Sequence, residues 1–464
     1  MARALVWFRD DLRLADNPAL QAALRAGLEP VPVYVHAPEE AGEWAPGAAS
    51  DAWRAKSLVA LDAALRARGS RLQVFPGPTP ATLARLAAEC DARAVFWNRR
   101  YEPAIEARDA AIKRALRAEG IDARSHNGAL LVEPWQVATQ AGDPYKVFTP
   151  FWRAALKQWR LPALVGAPDR LPAPPALAAA NGIEALGLAP TRPWDRGFWD
   201  AWSPGEAGAH AVLERFLAEG LDGYATQRDV PALRGTSRLS PHLHFGEIAP
   251  WRIAHRLQDA GPAQDRDTVL KELGWREFAH HLLHHFPRTP GENFNPRFDD
   301  FDWAPDDQAR LEAWRRGRTG IPIVDAGMRE LWHTGWMHNR VRMIAGSFLT
   351  KHLRQHWSHG ARWFWDTLVD ADLANNTLGW QWVAGTGADA APYHRVFNPV
   401  LQAQKFDPDG AYIARWLPEL AALPPPQRHA PWTGARPNAY PPPMLDLAAG
   451  RADALAALAA LKRG

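Results

Sequence analysis

The chain has 464 residues, 47% of them hydrophobic and 23% charged, which suits a water-exposed globular protein of two or more domains. Its net charge of +3 excludes a whole-protein basic field, so any nucleic-acid surface must be a local patch. A single cysteine, Cys90, excludes an intrachain disulfide and a cysteine-rich metal site.

Taken in order, ARALVWF (2–8) reads as a short buried strand, followed by a helix that starts at Asp16–Asn17–Pro18. PVPVYVH (30–36) is a second strand, 50–69 an amphipathic helix, RLQVFPG (71–77) a third strand and TPATLARLAAECDA a helix. AVFWN (94–98) is a fourth strand and 106–120 a helix, and IDARSHNG leads into another short strand. Strands alternating with helices predict right-handed crossovers and an open parallel sheet over residues 1–130. No GxGxxG follows the first strand, although a ligand can still use the crevice at the strand C-termini. Residues 131–207, rich in Pro, Ala and Gly toward their end, read as a long linker. From 208 to 464 the pattern is helical: 209–219, 240–258, 267–286, 309–317, 324–333, 336–356, 361–369 and 411–416. The fold class expected is therefore an α/β domain, a linker and an all-α domain. MARALVWFRDDLRL carries acids too early for a secretory signal, and no apolar run reaches membrane-spanning length, so the cytoplasm of a bacterium is the expected location.

Four strings in the helical half carry chemistry. In GTSRLSPHLHFG (235–246), hydroxyls and Arg238 precede a helix from about Pro241, an arrangement able to cradle phosphate. An ordinary Ser N-cap uses the same residues, and the density of donors beside Arg238 favours the anion. In KELGWREFAHHLLHHF (271–286), Glu272, Trp275 and Arg276 share a face with Ala279 and can contact a base by hydrogen bond, stacking and phosphate pairing. A surface Glu–Arg pair beside a half-buried Trp is the plainer reading of that face. His280, His281, His284 and His285 lack the Glu of an HExxH frame and a third ligand, so no metal is expected there. TGWMHNRVRM (334–343) places Trp336, Asn339, Arg340 and Met343 on one face, with Arg342 a partner for Asp370. DADLANNTLGWQW (370–382), read as a helix, aligns Asp372, Asn376, Gly379 and Trp380. That face suits either a polar and aromatic cofactor or a Trp-rich core holding a satisfied Asn.

Together, GTSRLS, WREF, TGWMHNR and DADLANN…GWQW, in this order and spacing, resemble the photolyase/cryptochrome flavoproteins over nearly the whole chain. In detail they are similar to the bacterial branch that repairs cyclobutane pyrimidine dimers. The resemblance implies FAD in a helical domain, reduced in its active form and held by Tyr224, Thr236, Ser237, Arg238, Leu239, Ser240, Arg342, Asp370, Ala371, Asp372 and Asn376. It places Asn376 beside the flavin's reactive nitrogen. It implies an electron relay of Trp380, Trp357 and Trp303, and a substrate pocket lined by Glu272, Trp275, Arg276, Asn339, Met343 and Trp382. Arg340 and Gln402 join Glu272, Trp275, Arg276 and Asn339 as DNA contacts. The partner implied is DNA containing pyrimidine dimers, acted on by a monomer. A second, antenna chromophore is implied too, with methenyltetrahydrofolate favoured over 8-hydroxy-deazaflavin, although the Asn–Glu pair of enterobacterial folate sites is absent from YEPAIEARD. Ala371 replaces a common Gly, His394 a Phe, and Ala403–Gln404 a Gly–Glu. The rival reading, a cryptochrome-type photoreceptor without repair activity, is disfavoured by Asn376, Glu272 and Asn339.

Overall fold

The computed structural model describes residues 2–461. Its N-terminal body is a parallel sheet of β1 (Arg3–Phe8), β2 (Glu29–His36), β3 (Gln73–Pro76), β4 (Ala92–Asn98) and β5 (Asp122–His126), in the order β3-β2-β1-β4-β5. Successive residues of β1 face opposite sides, so both sides must be apolar. Leu5 and Trp7 join Val95 and Trp97 on one side; Ala4, Val6 and Phe8 join Ala94 and Phe96 on the other. The IDARSHNG run itself supplies β5, paired with β4, and does not merely precede a strand. The crossovers are α1 (Pro18–Arg25), α2 (Ala48–Arg66), α3 (Thr79–Glu89) and α4 (Pro103–Ala118). Asn17 caps α1 by accepting from Leu20 N, with Pro18 in the first turn. The strand order reverses between β1 and β4, and a crevice opens beyond their C-terminal ends.

Within 131–207 the structure holds α5 (Phe148–Gln158) and α6 (Arg196–Ala201) among irregular chain. Phe148, Phe151 and Trp152 of α5 are buried in a cluster with Phe278 and Leu282. The helical body continues through α7 (Glu206–Glu219), α8 (Tyr224–Gln227), α9 (Ser240–His244), α10 (Pro250–Leu257) and α11 (Ala263–His285). Next come α12 (Gln308–Arg315), α13 (Pro322–Thr334), α14 (Asn339–Ser347), α15 (Trp357–Thr367) and α16 (Leu373–Ala384). It closes with α17 (Pro399–Phe406), α18 (Ala411–Trp416), α19 (Pro425–His429) and α20 (Leu447–Leu461).

Three helix readings change. The run 240–258 is two helices, because Gly246 turns the chain at φ 59°. A Cβ at Gly246 would lie 2.3 Å from the Asp10 carbonyl oxygen, so the close approach of the two bodies needs glycine there. The run 336–356 starts its helix only at Asn339, after His338 caps it, and ends in a π-helical turn over Phe348–His352. The run 370–382 becomes helical at Leu373, with Asp372 as its cap.

Polar contacts cross the seam between the bodies. Leu12 N donates to Phe245 O at 3.1 Å, and Arg13 donates to Gly246 O and Gly128 O, both at 2.7 Å. Trp53 of α2 donates its indole N–H to Glu247 at 2.9 Å, and the other oxygen of that carboxylate faces His242. Buried polar groups matched in this way fix orientation, since any shift would strand one of them. No helix among the described residues is long and apolar enough to cross a membrane.

Candidate active site

The N-terminal ends of α9, α14 and α16 and one side of α11 converge on a cavity of about 550 Å³. All four chemistry-bearing strings reach it. Ser237, Leu239 and Ser240 line it from the first; Glu272, Trp275 and Arg276 from the second; Asn339, Arg340, Arg342 and Met343 from the third; Asp370, Ala371, Asp372, Asn376, Trp380 and Trp382 from the fourth, with Tyr224 from α8. Thr236, Arg238, Gln402, Trp357 and Trp303 are not among the lining residues. Arg238 sits at φ 54°, and its guanidinium lies over Trp336 at 4.8 Å and Trp202 at 5.6 Å.

The cavity floor is built from paired polar groups. Arg342 donates through Nη2 to both oxygens of Asp370, at 2.8 and 3.1 Å, and through Nε to Met337 O at 2.7 Å. That pair ties α14 to the segment that enters α16, as the sequence suggested. Asp372 accepts from the backbone and side-chain N–H groups of Asn375, at 2.8 and 2.6 Å, and so starts α16. Asn376 donates its amide Nδ2 to Ala361 O at 3.0 Å. A carbonyl oxygen only accepts, so this bond fixes the amide's orientation and leaves Oδ1 for a donor in the cavity. A Cβ at Gly379 would meet nothing within 4 Å, because the cavity opens there.

At the mouth, Trp275 stacks on Phe148 with centroids 3.8 Å apart and planes 9° from parallel. One face of Trp275 is thus covered by α5, a partner that its own string does not reveal. Glu272 pairs with Arg228 at the end of α8. Arg276 donates to Ala129 O at 2.7 Å and lies beside Glu277. Arg340 pairs with Asp229 at 2.6 Å and stacks on Phe406 at 4.4 Å. Both arginines read as phosphate contacts therefore already have partners within the chain.

Trp380 is 3% exposed and fills the space left by Gly360 of α15, where a Cβ would come within 2.0 Å of its ring. Trp357 begins the same helix one turn earlier, fully buried, with its indole N–H on Asn293 Oδ1 at 2.9 Å. His356 bridges outward, 5.3 Å from Trp357 and 5.1 Å from the half-buried Trp303. Trp314, which the sequence reading did not single out, also meets Trp380, edge-on at 6.1 Å.

The four histidines of α11 diverge. His281 donates from Nδ1 to Pro134 O and accepts from Tyr145 N–H at Nε2, and burial pushes its pKa down to about 4. His284 faces Glu106 at 3.2 Å, and His285 Nε2 lies 3.2 Å from Pro134 O. His280 turns toward Asp372, with Nε2 3.4 Å from Oδ2. Pairing across this distance in sequence leaves no local signature, so only the unusual density of histidine marked the stretch.

A second cavity, of about 270 Å³, opens at the seam beyond the C-terminal ends of β1 and β4. Asp10, Arg54 and Arg100 line it with Trp44 and Trp365, and it shares His244 and Ala371 with the first cavity.

Comparison with known proteins places this geometry. Two family models match: DNA photolyase over residues 4–176 and the FAD binding domain of DNA photolyase over residues 269–460. The chain is 45% identical to a deoxyribodipyrimidine photo-lyase of Agrobacterium fabrum, covering 100% of this chain and 98% of that protein. It is 40% identical to cryptochrome-2 of Arabidopsis thaliana, over 93% of this chain and 72% of the cryptochrome. The structure of a bacterial class III photolyase from Agrobacterium tumefaciens superposes with a TM-score of 0.95 at 44% identity, covering 100% of this chain and 98% of that one.

Proposed function

The chain belongs to the photolyase/cryptochrome family, and from that premise we propose that it is a deoxyribodipyrimidine photo-lyase, repairing cyclobutane pyrimidine dimers in DNA under light. The observation that carries the reading is the convergence of Asn376, Glu272 and Trp380 on one cavity of about 550 Å³. Its size suits a ligand larger than a simple metabolite. FAD fits the donor set: Ser237 and Ser240 hydroxyls, the Arg342–Asp370 pair, Asp372, and Asn376, whose Oδ1 would accept from a flavin N–H. When bound and reduced, the flavin supplies the electron that splits the dimer and receives it back.

The chain's own residues do the rest. A dimer is poorly paired in its duplex, so flipping it out costs a few kcal/mol less than for a normal base. Trp275, braced from behind by Phe148, offers its remaining indole face, and Trp382 and Met343 bound the pocket on other sides. Glu272, oriented by Arg228, accepts from the imide N–H edge, and Asn339 adds an amide at the rim. Arg276, Arg340 and Gln402 are assigned to the DNA backbone. In that role the two arginines would use N–H groups not engaged by Ala129 O and Asp229, and binding weakens steeply with salt. Trp380, Trp357 and Trp303 lead from the cavity wall toward the surface and are assigned to photoreduction. The second cavity is assigned to an antenna chromophore, methenyltetrahydrofolate before 8-hydroxy-deazaflavin, since Trp44 and Trp365 offer aromatic faces and Arg54 and Arg100 offer cations. The protein acts as a monomer in the bacterial cytoplasm.

The test is to illuminate the FAD-reduced protein with an oligonucleotide that contains one thymine dimer. Restored thymines are expected; dimers that persist while reduced FAD is bound refute repair and return the chain to a photoreceptor role. Glu272→Gln keeps the shape and removes the charge. A hydrogen bond to a charged group contributes about 1.5–3 kcal/mol, so affinity for the dimer is expected to fall on the order of tenfold or more, and repair per absorbed photon to fall as well. An unchanged yield denies Glu272 its role.

A further inference from the structure

His280 is one turn beyond Arg276 on α11 and only 6% exposed. Its Nδ1 lies 2.9 Å from the Arg276 carbonyl oxygen, and its Nε2 lies 3.4 Å from Asp372 Oδ2. A carbonyl oxygen and a carboxylate only accept, so satisfying both contacts requires a proton on each ring nitrogen. The neighbouring His281 is the control, because a backbone N–H donates to its Nε2 and the neutral ring satisfies both its contacts. Asp372 in turn lines the large cavity, and its Oδ1 is fully used by Asn375.

We propose that His280 is a positioning residue for the flavin: an imidazolium that neutralises Asp372 under the cavity and whose proton is exchanged with the flavin's redox state, an inference that rests on the FAD reading of that cavity. With the ring protonated, the pair carries no net charge. With the ring neutral, Asp372 presents an uncompensated negative charge to the site. Reduction adds negative charge to the flavin, so it favours the protonated pair.

The surroundings agree. Burial alone would pull the His280 pKa down, but the facing Asp372 carboxylate outweighs it and the net direction is upward. Burial would likewise raise Asp372, but His280, and after it His244 and Arg276, hold it well below the usual carboxylate range. On α11 itself, Arg276 and Glu277 stand one turn before His280, and His284, which faces Glu106, one turn after. From the N-terminal body, Tyr101 meets the ring edge-on at 5.9 Å, with its hydroxyl on Glu133, which pairs with Arg99. From α9, His244 acts across Asp372.

In balance, dithionite supplies two electrons to the oxidised flavin and one proton enters the flavin from solvent. Where His280 starts neutral, a second proton enters from solvent at Nε2. The FAD-bound full chain is titrated potentiometrically from about pH 6 to 9, the range in which histidine changes charge. The wild type is expected to take up as much as one more proton per flavin than His280→Gln, read as a midpoint potential that falls more steeply with pH. His280→Arg, permanently charged, is expected to show the shallow slope of the Gln variant with a higher potential than that variant. Equal slopes in all three FAD-bound proteins overturn the proposal. Independently of flavin, nitrogen-15 NMR of the histidine-labelled full chain is expected to show one buried ring protonated at both nitrogens, lost in His280→Arg. If these substitutions unfold the chain, Asp372→Asn, which keeps the cap, replaces them: a doubly protonated ring that persists unchanged in that variant overturns the assignment, as do only singly protonated buried rings in the wild type. A chain that fails to bind FAD at all refutes the cavity reading, and leaves the NMR outcome to be judged by itself.

Discussion

Trp380→Phe is expected to abolish photoreduction of the bound flavin, while repair by protein reduced beforehand with dithionite continues. Trp380 forms part of the cavity wall and also touches the next helix, so in the proposed relay it is the residue through which an electron must first pass. Phenylalanine keeps an aromatic ring against Gly360 but is far harder to oxidise. The lost ring volume costs about 1–2 kcal/mol of packing, less than truncation to Ala, and leaves the fold in place. The measurement is the growth of reduced-flavin absorbance under blue light with an external reductant, compared with dimer splitting after chemical reduction. Photoreduction at the wild-type rate removes Trp380 from the relay. Loss of both activities would instead make it a structural residue.

Arg342→Ala is expected to lower stability by about 3–5 kcal/mol and to strip the protein of FAD. Asp370 is 4% exposed, and Arg342 is the cation that meets both of its oxygens. Removing one partner of such a pair leaves a buried charge without compensation, which costs more than the pair contributed. Met337 O loses a donor as well, so the start of α14 and the entry to α16 separate. Lysine does not substitute, since it cannot serve the two carboxylate oxygens and the carbonyl from one planar fork. The thermal midpoint and the ratio of flavin to protein absorbance after gel filtration report the two effects. A variant that keeps both its melting temperature and its FAD refutes the role given to this pair.

The Arg342–Asp370 pair shows what was legible in the sequence: two opposite charges, each in a string already suspected of holding a ligand. The sheet was legible because buried parallel strands are continuous apolar runs bounded by helical spacing. Breaks inside helical runs were not, since 3.6-residue spacing carries on through a short turn. The break in 240–258 is a partial exception, since Gly246 and Pro250 both mark it; what the sequence could not show is the Asp10 carbonyl that makes glycine necessary there. Arg238 shows the same limit: a cation beside hydroxyls reads as an anion site, and nothing in its own string reveals that Trp336 and Trp202, distant in sequence, stack on its guanidinium. His280 was visible only as one of four histidines, because its partner is Asp372 on another element. Local patterns report what a residue can do; the tertiary neighbour selects which of these it does.

Gly360 invites a different vocabulary. In the proposed relay it carries no charge, binds nothing and never holds the electron, yet it decides how wide the first gap is. A methyl group at this position would overlap the Trp380 ring and push it away from α15, the helix that carries Trp357. Tunnelling rates fall steeply with distance, so the conductance of the wire is set by an omission: one missing side chain is its gauge.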